Sequence, residues 1–171
     1  MSSTYSDRLK LELMATGANA NTWGNNTNNN LEVLDAFAAG YLSKSVAGSS
    51  NITLTTANAS DTAESSNKTI ELTGALTGAI SVFIPAVESE YNFFNNTSGS
   101  HDLKISATGH DANGVVIAQG AKSTVFCARL FFSHHRRLPT ASDVLMDSNS
   151  QRPLEAHCRL VFKVKVLSPL I

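Results

Sequence analysis

The sequence predicts a mainly β protein: a small sandwich or jelly-roll-like domain with one N-terminal amphipathic helix, followed by an irregular C-terminal tail. Three observations predict it. Between residues 41 and 127, short runs rich in β-branched and aromatic residues alternate with turn clusters such as AGSSN, NNTSGSH and ATGHDANG, with turn signals about every ten residues, as in paired sheets. One segment, Asn28 to Tyr41, instead repeats its apolar residues at helical spacing. Beyond Cys127 both periods fade and the composition changes.

The elements follow in order. Arg8 to Met14 reads R-L-K-L-E-L-M, an alternation that puts Leu9, Leu11 and Leu13 on one face of a strand. The next stretch, ATGANANTWGNNT, is rich in Gly and Asn, which accept turn and left-handed conformations most readily, so a structured loop is expected. Leu31, Leu34, Phe37, Ala38 and Tyr41 then mark one helical stripe. Asn28, Asn29 or Asn30 would cap its start, Glu32 and Asp35 would favour its early turns, and Gly40 would close it. Strands are expected at Tyr41 to Val46, Ile52 to Thr56, Thr69 to Thr73, Ile80 to Ile84, Glu90 to Asn95, Asp102 to Ala107, Gly114 to Ala118 and Lys122 to Cys127. The echo of ELTG in ALTG is too short to predict a solenoid.

The chain therefore divides into an N-terminal strand, T-W-G loop and helix (1–45), a β domain (46–127) and a poorly integrated tail (128–171). Five of the six arginines and three of the four prolines lie after Cys127, and proline argues against long helices or central strands there. Within the tail only Leu160 to Leu167 alternates well enough for a strand.

Composition excludes several classes of partner. With 13 basic and 14 acidic residues the net charge is -1, so no global field draws in nucleic acid or an anionic membrane. No run approaches the roughly 18 apolar residues of a membrane span, and the start MSSTYSDRLKLELM has no secretory pattern. A soluble, cytoplasmically made chain without membrane insertion is expected. Only 16% of residues are charged; Ser, Thr and Asn supply the polar surface, which also suits contacts to sugars. Two cysteines, Cys127 and Cys158, do not define a disulfide framework, and both are expected to be free.

Catalytic chemistry finds little support. His134, His135, His157, Cys127 and Cys158 have no C-x-x-C or H-x-x-x-H spacing, so no metal site is predicted. His134 to Arg137, H-H-R-R, lacks interleaved aromatics and is a weak nucleic-acid footprint. Glu88 with Glu90, His101 with Asp102 and His110 with Asp111 are the nearest approach to acid–base pairs. Without a nucleophile motif, phosphate loop or cofactor fingerprint, no catalytic residue and no cofactor is predicted.

The opening S-S-T-Y-S-D-R-L-K-L-E-L-M, then G-A-N-A-N-T-W-G-N-N-T-N-N-N-L and E-V-L-D-A-F-A-A-G-Y, resembles the N-terminal part of tailed-bacteriophage tail-fibre-like structural proteins. So do IELTGALTGAISVFIPA, EYNFFNNTSGSHDLKISATG and GVVIAQGAKSTVFC. The resemblance covers about residues 1–127. In that family the sheet segment ends at a Cys followed by Asp-Gly, whereas Ala128 and Arg129 follow Cys127 here. The break points to a shifted reading frame or recombination junction, which translation of the other two frames would check.

The resemblance implies a virion appendage protein made in the host cytoplasm, with other virion proteins as partners, a host surface glycan as a further one, and a homo-oligomeric state compatible with a trimer. Trp23, Gly24, Asn28, Leu31, Leu34 and Phe37 are the expected structural and assembly residues, Trp23 anchoring over Leu34 and Phe37 while Gly24 lets the loop turn. Asn95, Asn96, Ser98, His101, His110 and Asn113 are the expected surface contacts, on loops Asn95 to His101 and Gly109 to Gly114. Two other classes compete: a bacterial carbohydrate-binding module, which needs exposed aromatics, and a capsule-degrading enzyme fragment, which needs a carboxylate pair in a cleft.

Overall fold

The computed structural model describes residues 4–17, 19–129 and 158–163, the last six and residues 128–129 by backbone alone. It is mainly β with one α-helix. The first strands are short: β1 (Thr4–Tyr5) pairs antiparallel with β2 (Glu12–Leu13), Thr4 beside Leu13. The alternating Arg8–Met14 run is thus not one strand. Its first residues form the turn of this hairpin, with Lys10 in a left-handed conformation (φ 57°).

The helix α1 spans Trp23–Ala39 and starts five residues before the earliest expected cap. Thr22 holds the N-cap position without a side-chain hydrogen bond, and no acidic residue lies in the first turn; Asn28 and Asn29 sit inside the helix and do not cap it, and Glu32 and Asp35 lie beyond its early turns. Asn30 clamps β2 instead: its Oδ1 accepts the Glu12 N–H (2.8 Å) and its Nδ2 donates to the Glu12 carbonyl (2.9 Å). The Gly/Asn-rich loop before α1 is turned as expected, with Gly17, Asn19 and Asn21 at positive φ. Gly40 closes the helix, its N–H donating to the Ala36 carbonyl in an extended rather than left-handed conformation.

The remaining strands are β3 (Tyr41–Ser45), β4 (Ile52–Thr53), β5 (Thr69–Ala75), β6 (Ile80–Ile84), β7 (Ser89–Ser98), β8 (Leu103–Ala107), β9 (Val115–Val116), β10 (Lys122–Arg129) and β11 (Cys158–Lys163). They build a five-stranded sheet, β11-β10-β7-β5-β3, and a four-stranded sheet, β4-β6-β8-β9. Both sheets contribute to one core, Ile70, Leu72, Phe93 and Val125 from the first and Val82, Ile84, Leu103 and Ile105 from the second, which makes the pair a sandwich.

The strand order differs from an ordinary antiparallel sandwich. β3, β5 and β7 run parallel, as do β4, β6 and β8. The chain therefore passes three times from the first sheet to the second, each coil stacked on the one before. Like residues stack inside: Ile52, Val82 and Ile105 form one row, and Leu42, Ile70 and Phe93 another. Hydrogen bonds continue round the corners, Val46 N–H to Thr73 O, Gly48 N–H to Ala75 O and Leu76 N–H to Ser98 O. The corners also need glycine. Gly99 has φ +86°, and a Cβ there would collide with the Leu76 carbonyl oxygen; Gly74, at φ +105°, packs on Ala47. The coils are of unequal length and share no sequence pattern beyond alternation, so the stack carries no repeat of the kind sought in the sequence.

Antiparallel strands finish the stack, β9 on β8 and β10 on β7. β10 runs on to Arg129 and β11 pairs with it, Cys127 beside Leu160 and Arg129 beside Cys158. The strand expected from Leu160 thus begins at Cys158, while 130–157 and 164–171, with His134, His135 and the H-H-R-R stretch, lie outside the described residues. Cys127 is buried and disulfide-bonded, correcting the expectation of free thiols. The sequence has one other cysteine, Cys158, and the β10–β11 pairing brings its segment alongside.

Asn95 fastens the last coil. The residue is 1% exposed. Its Nδ2 donates to the Ile117 carbonyl (2.7 Å), its Oδ1 accepts the Thr97 N–H (3.2 Å) and hydroxyl (2.6 Å), and its own backbone bonds Gly120 and Ala121. These bonds tie β7 to the connection between β9 and β10. Near the opposite end, Lys44 of β3 pairs with Glu64. Burial raises the Glu64 carboxyl, but the Lys44 ammonium and the Thr55 N–H outweigh it and hold its pKa below the ordinary value.

Candidate functional site

Alternation along the five-stranded sheet sends Ile70, Leu72, Tyr91, Phe93, Asn95 and Val125 inward. It sends their neighbours outward. The ladder register sets Tyr41, Thr69, Asn92 and Thr124 side by side across four strands, and Ser43, Glu71, Phe94 and Lys122 in the adjacent row. Tyr41 and Phe94 rise on either side of the smaller Thr69 and Asn92. Between them lies a cleft of about 400 Å³.

Polar contacts order its walls. The Tyr41 hydroxyl donates to Glu71 Oε2 (2.7 Å) and the Asn96 amide to Glu71 Oε1 (2.7 Å). The Tyr41 and Asn96 bonds, with a further one from Ser43, hold the Glu71 carboxyl below its ordinary pKa, and the same carboxylate pushes the Tyr41 phenol up. Thr124 donates to Asn92 Oδ1 (2.8 Å), and the Lys122 ammonium lies 4.9 Å from the centre of the Phe94 ring. A second concavity between the β1–β2 turn and Phe37 measures about 30 Å³, far below the roughly 300–1,000 Å³ range of small-ligand sites.

The expected assembly residues fall on α1, but not as an internal anchor. The inward stripe of the helix is Asn26, Asn30, Val33 and Phe37; only Val33 is fully buried, and the Lys68 ammonium lies over the Phe37 ring at 5.5 Å. Trp23 is 65% exposed, Leu31 57% and Leu34 40%. Trp23 therefore does not pack as an internal anchor, because it opens the helix beside that stripe rather than over it. Gly24 is a helical residue with open space around its Cα, not a turn residue, and Asn28 is exposed.

The expected contact loops are redrawn as well. β7 runs to Ser98, so Asn95 to Ser98 lie on a strand, and Asn95 faces the core because inward positions alternate from Tyr91. Asn96 faces outward on the cleft sheet. Ser98, His101 and Asn113 are exposed and His110 is half-buried.

The candidate acid–base groups are engaged elsewhere. Glu88 pairs with Arg8 and Glu90 with Lys68. Asp111 takes bonds from Lys104 (2.8 Å) and the buried Ser81 (2.9 Å), contacts that hold its pKa down. These pairs fasten surface segments to the sheets.

The fold and cleft define a two-sheet β module with a polar, aromatic-walled outer face. Comparison with protein-family models, with curated proteins and with solved structures finds no match. Among the described residues no helix is long and apolar enough to cross a membrane.

Proposed function

We propose that the chain is a non-enzymatic structural module of a phage tail fibre or related virion appendage, which assembles with copies of itself and presents its outer sheet to a host surface. The observation that carries the assembly role is the apolar surface of α1. Leu31 and Leu34, one turn apart, and Trp23, about two turns before Leu31, are each at least 40% exposed, and apolar side chains left facing water along a helix are suited to subunit contacts. The resemblance to tail-fibre-like proteins supports the same reading, since T-W-G and this helix lie within the matching segment. A stack of parallel coils is also a suitable building unit for an elongated appendage, because each coil contacts only its neighbours.

A bacterial carbohydrate-binding module is the second reading, and the outward Tyr41 and Phe94 favour it over a capsule-degrading enzyme. Light scattering coupled to gel filtration tests the assembly role. The wild-type chain is expected to run as a homo-oligomer at micromolar concentration, and Leu31→Glu/Leu34→Glu as a monomer with an unchanged circular dichroism spectrum. A monomeric wild type, or a double variant that stays oligomeric, contradicts self-assembly through α1.

A further inference from the structure

We propose that the cleft on the outer face of the five-stranded sheet binds a neutral pyranose unit of a glycan, seated between Tyr41 and Phe94. This deepens the adhesion half of the proposed function and rests on it. The cleft, at about 400 Å³, lies within the roughly 300–1,000 Å³ range of small-ligand sites. Its floor crosses four strands, which at roughly 4.8 Å spacing gives about 14 Å between the outer two, enough length for more than one sugar ring.

The lining matches the two kinds of surface that a pyranose presents. One face of the ring carries C–H groups, which lie well against the electron-rich face of an aromatic side chain; Tyr41, 59% exposed, and the half-buried Phe94 supply such surfaces. The ring edge carries hydroxyls. Thr124 already satisfies Asn92 Oδ1, so the Asn92 Nδ2 hydrogens and the Thr69 hydroxyl remain without a protein partner among the described residues and can bond a ligand.

Preorganisation and charge narrow the ligand class. Tyr41 is held by its bond to Glu71, which Asn96 braces from the other side. Less side-chain freedom is then lost on binding. Lys122 is the one charged residue lining the cleft, and its ammonium lies over the Phe94 ring. The Glu71 carboxylate, next to Phe94 in the row but outside the lining, feels that charge and offsets it. An acidic sugar therefore finds no unanswered cation and an amino sugar is repelled by Lys122, whereas a neutral hexose meets neither penalty.

Titration of the full ¹⁵N-labelled chain with cellobiose and maltose, and with glucuronate as the acidic control, tests the assignment. Amide shifts are expected at Thr69, Asn92, Phe94 and Thr124 with a neutral disaccharide. Tyr41→Ala and Phe94→Ala are each expected to weaken binding roughly tenfold, a loss typical of one stacked ring, with the thermal transition retained. No shift with either neutral sugar overturns the proposal. So do shifts confined to 99–102 or 109–114, glucuronate binding alone, wild-type affinity in both variants, or a Tyr41→Ala change in oligomeric state without a change in sugar binding, which would assign the face to assembly. A chain found on virus particles that binds no sugar fails here and leaves the appendage reading standing.

Discussion

Phe93→Ala is expected to destabilise the fold by about 3–5 kcal/mol, the range for removing a buried aromatic side chain. Phe93 is 1% exposed in the middle of β7, stacked against Ile70 of the preceding coil and 5.9 Å, ring to ring, from Tyr91. Both sheets meet around it, so the cavity would open where neither can collapse readily. Chemical denaturation should show a much lower midpoint with an unchanged slope. The neighbouring Phe94→Ala is the internal control. Its ring faces outward, and its loss is expected to remove well under half as much stability. Equal losses at the two positions would mean that the inward and outward faces of β7 are assigned wrongly.

Asn95→Leu is expected to cost roughly 2–4 kcal/mol despite its similar volume, because an unsatisfied buried polar group costs about 1–3 kcal/mol. The change strands the Ile117 carbonyl and removes the acceptor for the Thr97 N–H and hydroxyl. The loss should be local as well as global. Hydrogen exchange is expected to speed up first at Gly120 and Ile117, whose N–H groups bond Asn95 and Leu103 carbonyls, before it reaches β5 and β6. Uniform acceleration across the sheets would contradict the role of Asn95 as the tie between β7 and the β9–β10 connection. This residue stood among the expected surface contacts; its burial makes it structural.

Alternation and turn residues revealed where the strands lie. β6 matches its expected bounds, and β3 and β8 differ by one residue at an end. They did not reveal how the strands pair, because period two is common to parallel and antiparallel ladders. The start of α1 was hidden for a different reason. W-G-N-N-T-N-N-N contains poor helix formers, and the hydrogen bonds of Asn30 to Glu12 help hold that segment in a helix from outside it.

The outer-face cleft was partly legible. In Y-N-F-F-N, Phe93 and Phe94 are adjacent, so in a strand they must face opposite ways, and one aromatic had to be turned from the core. Tyr41 stands at the end of the helical stripe and at the start of an expected strand, and it is the first residue of β3. Its place beside Thr69 and Asn92 depends on a parallel register between distant segments, which no local pattern encodes. Trp23 misled because large aromatics are usually well buried; here the helix has already satisfied its inward face with Asn30, Val33 and Phe37.

The placement of the chain in a virion appendage is tested most directly by labelling purified particles with a gold-conjugated antibody raised against residues 4–127. The account predicts label on a tail appendage, at a copy number consistent with a symmetric oligomer. Particles that carry no label, with the protein recovered only from the soluble fraction of infected cells, would contradict it.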